Sequence, residues 1–118
     1  MSSDLETVPG VAGAARRRLE NGELVFAVKD VLGVVQFCSS SQLVVLGIEV
    51  FPGLNISTYD LGMESPRARE FWPEFVKRNN TLAEAFIQKQ TRIEAESDCI
   101  LTTASWREFC EIAKGEPR

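Results

Sequence analysis

The chain has 118 residues, a formal charge of −4 and an isoelectric point near 4.9, with 44% hydrophobic and 25% charged residues. That is material for one globular domain with a single core; collagen-like, disordered and disulfide-scaffold classes are excluded, and no apolar run is long enough to span a bilayer. There is no histidine, which removes Ser-His-Asp and Cys-His nucleophiles, histidine general bases and histidine metal ligands together.

Residues 1–10 are polar, end in Pro9-Gly10 and are expected to form a flexible segment ahead of one domain spanning 11–118. They carry acids where a signal peptide needs bases, so the expected location is the cytoplasm. Residues 11–20 (VAGAARRRLE) suggest a short helix weakened by Gly13 and stopped by Asn21-Gly22. Residues 23–38 (ELVFAVKDVLGVVQFC) are rich in valine, which permits a strand. Leu24, Val28, Val31, Leu32, Val35 and Cys38 nevertheless fall at helical spacing. The expectation is a helix with Asn21 as its N-cap.

Residues 43–51 (LVVLGIEVF) are apolar on both faces and predict an inner strand. Pro52-Gly53-Leu54-Asn55 predicts a turn and 56–60 (ISTYD) a returning strand, so 43–60 reads as a β-hairpin. From Pro73 to Glu94 the pattern is helical, with a stripe of Trp72, Val76, Asn80, Ala83 and Ile87 and, beside it, Phe75, Asn79, Leu82 and Phe86. Continuous, that helix is about 33 Å long at ~1.5 Å per residue. The alternative is a break at Asn79-Asn80 and a restart at the capping box Thr81-Leu-Ala-Glu84; the continuous helix is preferred. Residues 99–103 predict a third strand, and Ser105-Trp-Arg-Glu108 a capping box opening a last helix that ends at Gly115. The fold expected is a small α+β domain. A three-stranded sheet including a β-hairpin is packed by amphipathic helices, one of them long.

Cys38, Cys99 and Cys110 are odd in number, lack CxxC spacing and sit among apolar neighbours. They read as buried thiols; neither a disulfide framework nor a zinc site is expected, and no cofactor. Between Lys29 and Arg67 there is no base, while Asp30, Glu49, Asp60 and Glu64 fall there. An acidic middle argues against nucleic-acid binding and suits a basic protein partner. Glu49, inside an apolar strand, needs either an ion-pair partner such as Arg67 or Lys77 or a functional reason to be there. A Glu49–Asp60 pair would permit carboxylate acid/base chemistry; two solvated acids are the simpler reading. Asn79 and Asn80, poor helix formers on or beside an apolar stripe, are either a polar anchor for a loop or partner, or the site of a helix break. Trp72 and Trp106 read as core anchors, with a part-exposed Trp72 beside Phe71 as the interface alternative.

Two stretches together, VVLGIEVF at 44–51 and FWPEFVKRNN at 71–80 followed by Leu82-Ala83 and Phe86-Ile87, resemble the immunity protein 40 family, small cytoplasmic bacterial proteins taken to neutralise cognate polymorphic toxins. The resemblance covers roughly residues 23–90. It implies a non-catalytic protein that binds and occludes a toxin, with Glu49, Trp72, Asn79 and Asn80 carried across by motif. The hairpin with Glu49, Tyr59, Asp60 and Glu64 is the first expectation for the contact surface, because charge and loop position converge there. The competing expectations are a self-associating module with Trp72, Phe71 and the long helix as a homodimer face, and, behind it, a small enzyme using Glu49/Asp60 or a cysteine.

Overall fold

The computed structural model describes residues 4–8, 10–51, 53–58, 61 and 70–115. Short helical turns α1 (Asp4–Thr7) and α2 (Val11–Ala14) lead into β1 (Arg17–Arg18) and β2 (Leu24–Ala27). Helix α3 (Val28–Ser40), the hairpin β3 (Val44–Phe51) and β4 (Leu54–Ser57), the long α4 (Trp72–Glu94), β5 (Asp98–Ala104) and α5 (Trp106–Gly115) follow. The class is α+β, as expected. The sheet has five strands in the order β1-β2-β5-β3-β4, with every pairing antiparallel, which corrects the expectation of three.

The two additional strands come from a stretch whose local pattern points elsewhere. Leu24, Val25, Phe26 and Ala27 are all buried, because β2 is covered on both faces, and a run apolar on both faces satisfies helix and strand periodicities alike. The chain turns helical only at Val28. No side chain caps α3; its first amides, Val28 N–H and Lys29 N–H, donate to the carbonyls of Ser97 and Ala95 at 2.9 and 3.0 Å. Asn21 therefore caps no helix. It sits in the β1–β2 turn, where its Oδ1 accepts from Glu23 N–H at 3.0 Å and Gly22 takes φ +92°, a conformation glycine adopts without strain. The helix expected over 11–20 shrinks to four residues, since β1 is drawn out along β2 in the pairs Arg17↔Val25 and Arg18↔Leu24. Within the segment expected to be flexible, Leu5 and Val8 are buried in the core.

Helices α3 and α4 pack on one face of the sheet. Val31, Val35 and Cys38 of α3 and Ala83 and Ile87 of α4 meet Phe26, Ile48, Val50, Cys99 and Leu101 in a single cluster; each buried Val, Leu, Ile or Phe among them contributes roughly 1.5–3 kcal/mol. A second cluster at one end of the sheet joins Val44 and Ala104 to Phe75 and Val76, with Trp72, Leu82 and Phe109 against it. α4 runs unbroken. Thr81 does not cap; its hydroxyl donates to Lys77 O at 2.7 Å within the helix. The Ser105 box does form: Ser105 N–H donates to Glu108 Oε1 at 2.9 Å and Glu108 N–H to Ser105 Oγ at 3.3 Å. No helix among the described residues is long and apolar enough to cross a membrane.

An ion network ties β1 to the start of α3 and the turn before β5. Arg16 reaches Asp98 and Glu96 at 2.9 Å each, Arg17 reaches Asp98 at 2.7 Å, and Lys29 reaches Glu96 at 2.6 Å. Hydrogen bonding from Arg16, and less from Arg17, holds the Asp98 carboxyl below the usual carboxylate range against the opposing effect of burial. A carboxylate lowered in the folded state stabilises above its unfolded pKa and ceases to do so as pH falls through its folded one. The stability gap between the parent chain and Asp98→Asn, read from urea midpoints, is therefore expected to be open at neutral pH and to close as pH falls below about 4; a gap independent of pH would contradict this.

Candidate docking surface

β4 pairs with residues 47–50 of β3, so among the described residues the first residues of β3 have no strand beside them on that edge. Buried backbone amides and carbonyls must find partners. Leu46 is an extra residue in the ladder with β5, where the register slips between Val45↔Thr103 and Gly47↔Thr102. Its carbonyl accepts from Thr58 N–H at 3.0 Å and from the Thr58 hydroxyl at 3.3 Å. Val45 is served by α4. Its N–H donates to Asn80 Oδ1 at 2.9 Å, and its carbonyl accepts from Asn79 Nδ2 at 2.7 Å. The two side-chain amides thus present to Val45 the donor and acceptor that a neighbouring strand would present.

Asn80 extends the clamp. Its Nδ2 donates to Leu43 O at 3.0 Å and to Ser39 Oγ at 2.9 Å, and its Oδ1 accepts from Asn79 Nδ2 at 3.0 Å. Both asparagines are 0% exposed. The sequence left open whether they are an anchor or a break; they are an anchor, and the loop they fix is the chain's own. Named from sequence also as partner-contact candidates, both lie fully inside the fold in this structure. Asn79 Oδ1 is buried without a hydrogen-bond partner among the described residues.

The loop so held is a tight helix ending. Leu43 N–H donates to Cys38 O at 2.9 Å and Gln42 N–H to Ser39 O at 3.2 Å, with Gln42 left-handed at φ 61°. That is a Schellman termination in which glutamine stands where glycine is usual. It turns the Gln42 carbonyl to accept from Trp72 Nε1 at 2.8 Å. Trp72 in turn packs against Phe75, Trp106 and Phe109 at ring-centroid distances of 5.5, 5.2 and 5.5 Å. Phe75 is fully buried below, with Arg78 over its ring at 5.5 Å and held in a fork by Glu70 at 3.0 Å on each arm. The top of the group is open: Trp106 is 56% and Phe71 73% exposed.

The candidates named from sequence therefore separate. Trp72, Asn79 and Asn80 converge at the start of β3, with Trp72 half-buried. Glu49 lies on the other half of that strand, half-buried between Asn55 of β4 and Ile100 of β5, and forms no ion pair among the described residues. Tyr59, Asp60 and Glu64, and Arg67 as a partner for Glu49, lie outside the described residues. Trp106, read as a core anchor, is a surface ring instead. Its place one residue after the Ser105 cap fixes it at the start of a helix, and periodicity over so short a stretch does not say which side of that turn is covered.

No group of three or more His, Cys, Asp or Glu that would hold a metal occurs among the described residues. Burial pushes the Cys38 and Cys99 thiols up to about 12, far from the thiolate a nucleophile needs. Comparison of the chain with protein-family models, curated proteins and solved structures gives no match.

The two asparagines are expected to differ in worth. Asn80→Ala strips partners from Val45 N–H, Leu43 O and Ser39 Oγ at once and should cost about 3 kcal/mol or more, at ~1–3 kcal/mol per buried group left unpaired. Asn79→Ala loses fewer bonds and removes an unpartnered buried acceptor, so its cost should be smaller. Equal costs in denaturant unfolding, or the reverse order, would contradict the clamp.

Proposed function

We propose that this chain is a non-catalytic binding protein that docks another protein through Phe71, Trp72 and Trp106, in the way an immunity protein meets its toxin. The observation carrying the reading is the build of the aromatic group. Trp106 packs at 5.2 Å, its ring tilted, against a Trp72 already fixed by its bond to Gln42 O, yet 56% of Trp106 stays open. Large aromatic rings pre-set on a rigid base lose little freedom on binding and make strong interface anchors. The net charge of −4 suits a basic partner. The resemblance to immunity protein 40 supplies the partner class, a toxin, and with it a bacterial cytoplasmic setting.

Homodimerisation through the same rings is the second reading, favoured by Phe71, 73% exposed beside the stack. One set of variants separates the two. Trp106→Ala and Phe71→Ala should fold with nearly unchanged urea midpoints, since neither ring is a buried core residue. If the reading holds, the chain protects cells from the toxin domain encoded beside its gene and binds that domain directly, and Trp106→Ala weakens binding by about 30-fold or more, the loss of a ~2 kcal/mol anchor. Absence of a toxin gene there, or undiminished protection by both variants, would contradict it. A concentration-dependent doubling of mass that Trp106→Ala abolishes would favour the homodimer.

A further inference from the structure

The sheet has a second face, away from α3 and α4. Ile48, Val50, Cys99 and Leu101 point into the cluster with the helices, so by strand alternation Gly47, Glu49 and Phe51 of β3 and Asp98, Ile100 and Thr102 of β5 belong to the other side. The register gathers them. Glu49 stands opposite Asn55 on β4 and Ile100 on β5, and Gly47, two residues earlier, stands opposite Ser57 and Thr102; directly opposed residues share a face. Asn55 and Thr102 are exposed, and Gly47 and Glu49 are half-buried.

Two features single out the middle of this face. The first is charge. Of its two carboxylates, Asp98 is taken by Arg16 and Arg17 at 2.9 and 2.7 Å, whereas Glu49 forms no ion pair among the described residues. A carboxylate half removed from water is completed by a cation that reaches both of its oxygens. The second is Gly47. Its φ lies outside the left-handed range, so the backbone does not require glycine. Crowding does not require it either: a Cβ there would meet the Thr102 side chain at 3.6 and 3.7 Å and Ile56 O at 3.8 Å, all ordinary contacts. Glycine inside a strand weakens it and marks where another group comes close to the backbone. What the missing side chain leaves is a hollow beside Glu49, walled by Thr102 and next to the register shift at Leu46.

We propose that Glu49, Asn55, Thr102 and the hollow at Gly47 form a receptor for one arginine of a basic partner protein. The guanidinium forks onto the Glu49 carboxylate, the Asn55 amide oxygen and the Thr102 hydroxyl accept from its remaining N–H groups, and its aliphatic stem lies over Gly47. Arginine suits this better than lysine, because its donors are fixed in one plane and can serve several acceptors side by side. That the arginine belongs to a docked protein rests on the docking reading, and the geometry fits it. Ala104 heads the same file of β5 as Thr102 and Ile100 and is buried in the cluster that Trp72 and Phe109 pack against. The receptor therefore lies about 14 Å along the strand from the aromatic group, at ~3.4 Å per residue.

The receptor is tested in the intact chain by NMR titration at low salt with N-acetylarginine amide, with the neutral N-acetylcitrulline amide of similar shape as control. The amides of Gly47, Glu49, Asn55 and Thr102 are expected to shift together with the arginine compound and not with the citrulline one. Glu49→Gln should weaken binding by about tenfold. Gly47→Ala, which begins to fill the hollow, should keep its urea midpoint and bind several-fold more weakly. No response to the arginine compound, shifts spread evenly over exposed acids such as Glu74 and Glu111, or a response unchanged in Glu49→Gln would overturn the receptor. Trp106→Ala should titrate as the parent chain does, so failure of the toxin assays and failure of the receptor are told apart.

Discussion

Two side-chain amides complete the edge of a β-strand. β3 is longer than its hairpin partner, and at Val45 the ladder to β4 has already ended. A buried strand edge with open amides and carbonyls is costly, and an exposed one invites pairing with another chain. Asn79 and Asn80 meet that requirement from a helix, taking both polar groups of Val45 and reaching on to Leu43 and Ser39. The same contact fixes three other things. It sets where α4 crosses the sheet, it holds the end of α3 against the start of β3, and it seats the loop whose Gln42 carbonyl receives Trp72. The aromatic group inherits its rigidity from the clamp.

Much of this was legible in the chain. β3 and β5 showed as short apolar runs, α4 as a long periodic stripe, and α5 through its Ser105–Glu108 box, because in each the local pattern and the tertiary environment agree. The split of 23–38 into β2 and α3 was not legible. Leu24–Ala27 is buried on all sides, so its residues satisfy both periodicities, and the signal that starts α3 is a pair of carbonyls from Ser97 and Ala95, nearly seventy residues away. β1 is two arginines with no strand signature; it exists because β2 offers it an edge.

The site shows the same division. Two asparagines on or beside an apolar helical stripe announce an anchor or a break, and the sequence does not say which, since the anchored groups are backbone atoms 34 to 37 residues away. Glu49 drew notice by the opposite route, as a carboxylate in an apolar strand, yet its half-buried place between Asn55 and Ile100 joins it to no ion pair among the described residues. Trp106 carries no sequence mark of exposure. A ring at a helix start turns in or out according to what packs there, and at that place Trp72 already fills the interior side.

The most direct test of the clamp is the exchange rate of the Val45 amide proton, resolved by NMR under native conditions. If Asn80 holds that proton as a strand would, Val45 exchanges as slowly as the amides of 47–50 inside the ladder, opening only with the global unfolding of the sheet. A Val45 amide that exchanges orders of magnitude faster than those neighbours, at the pace of an open edge, would show that the asparagines merely lie beside β3 and do not close it.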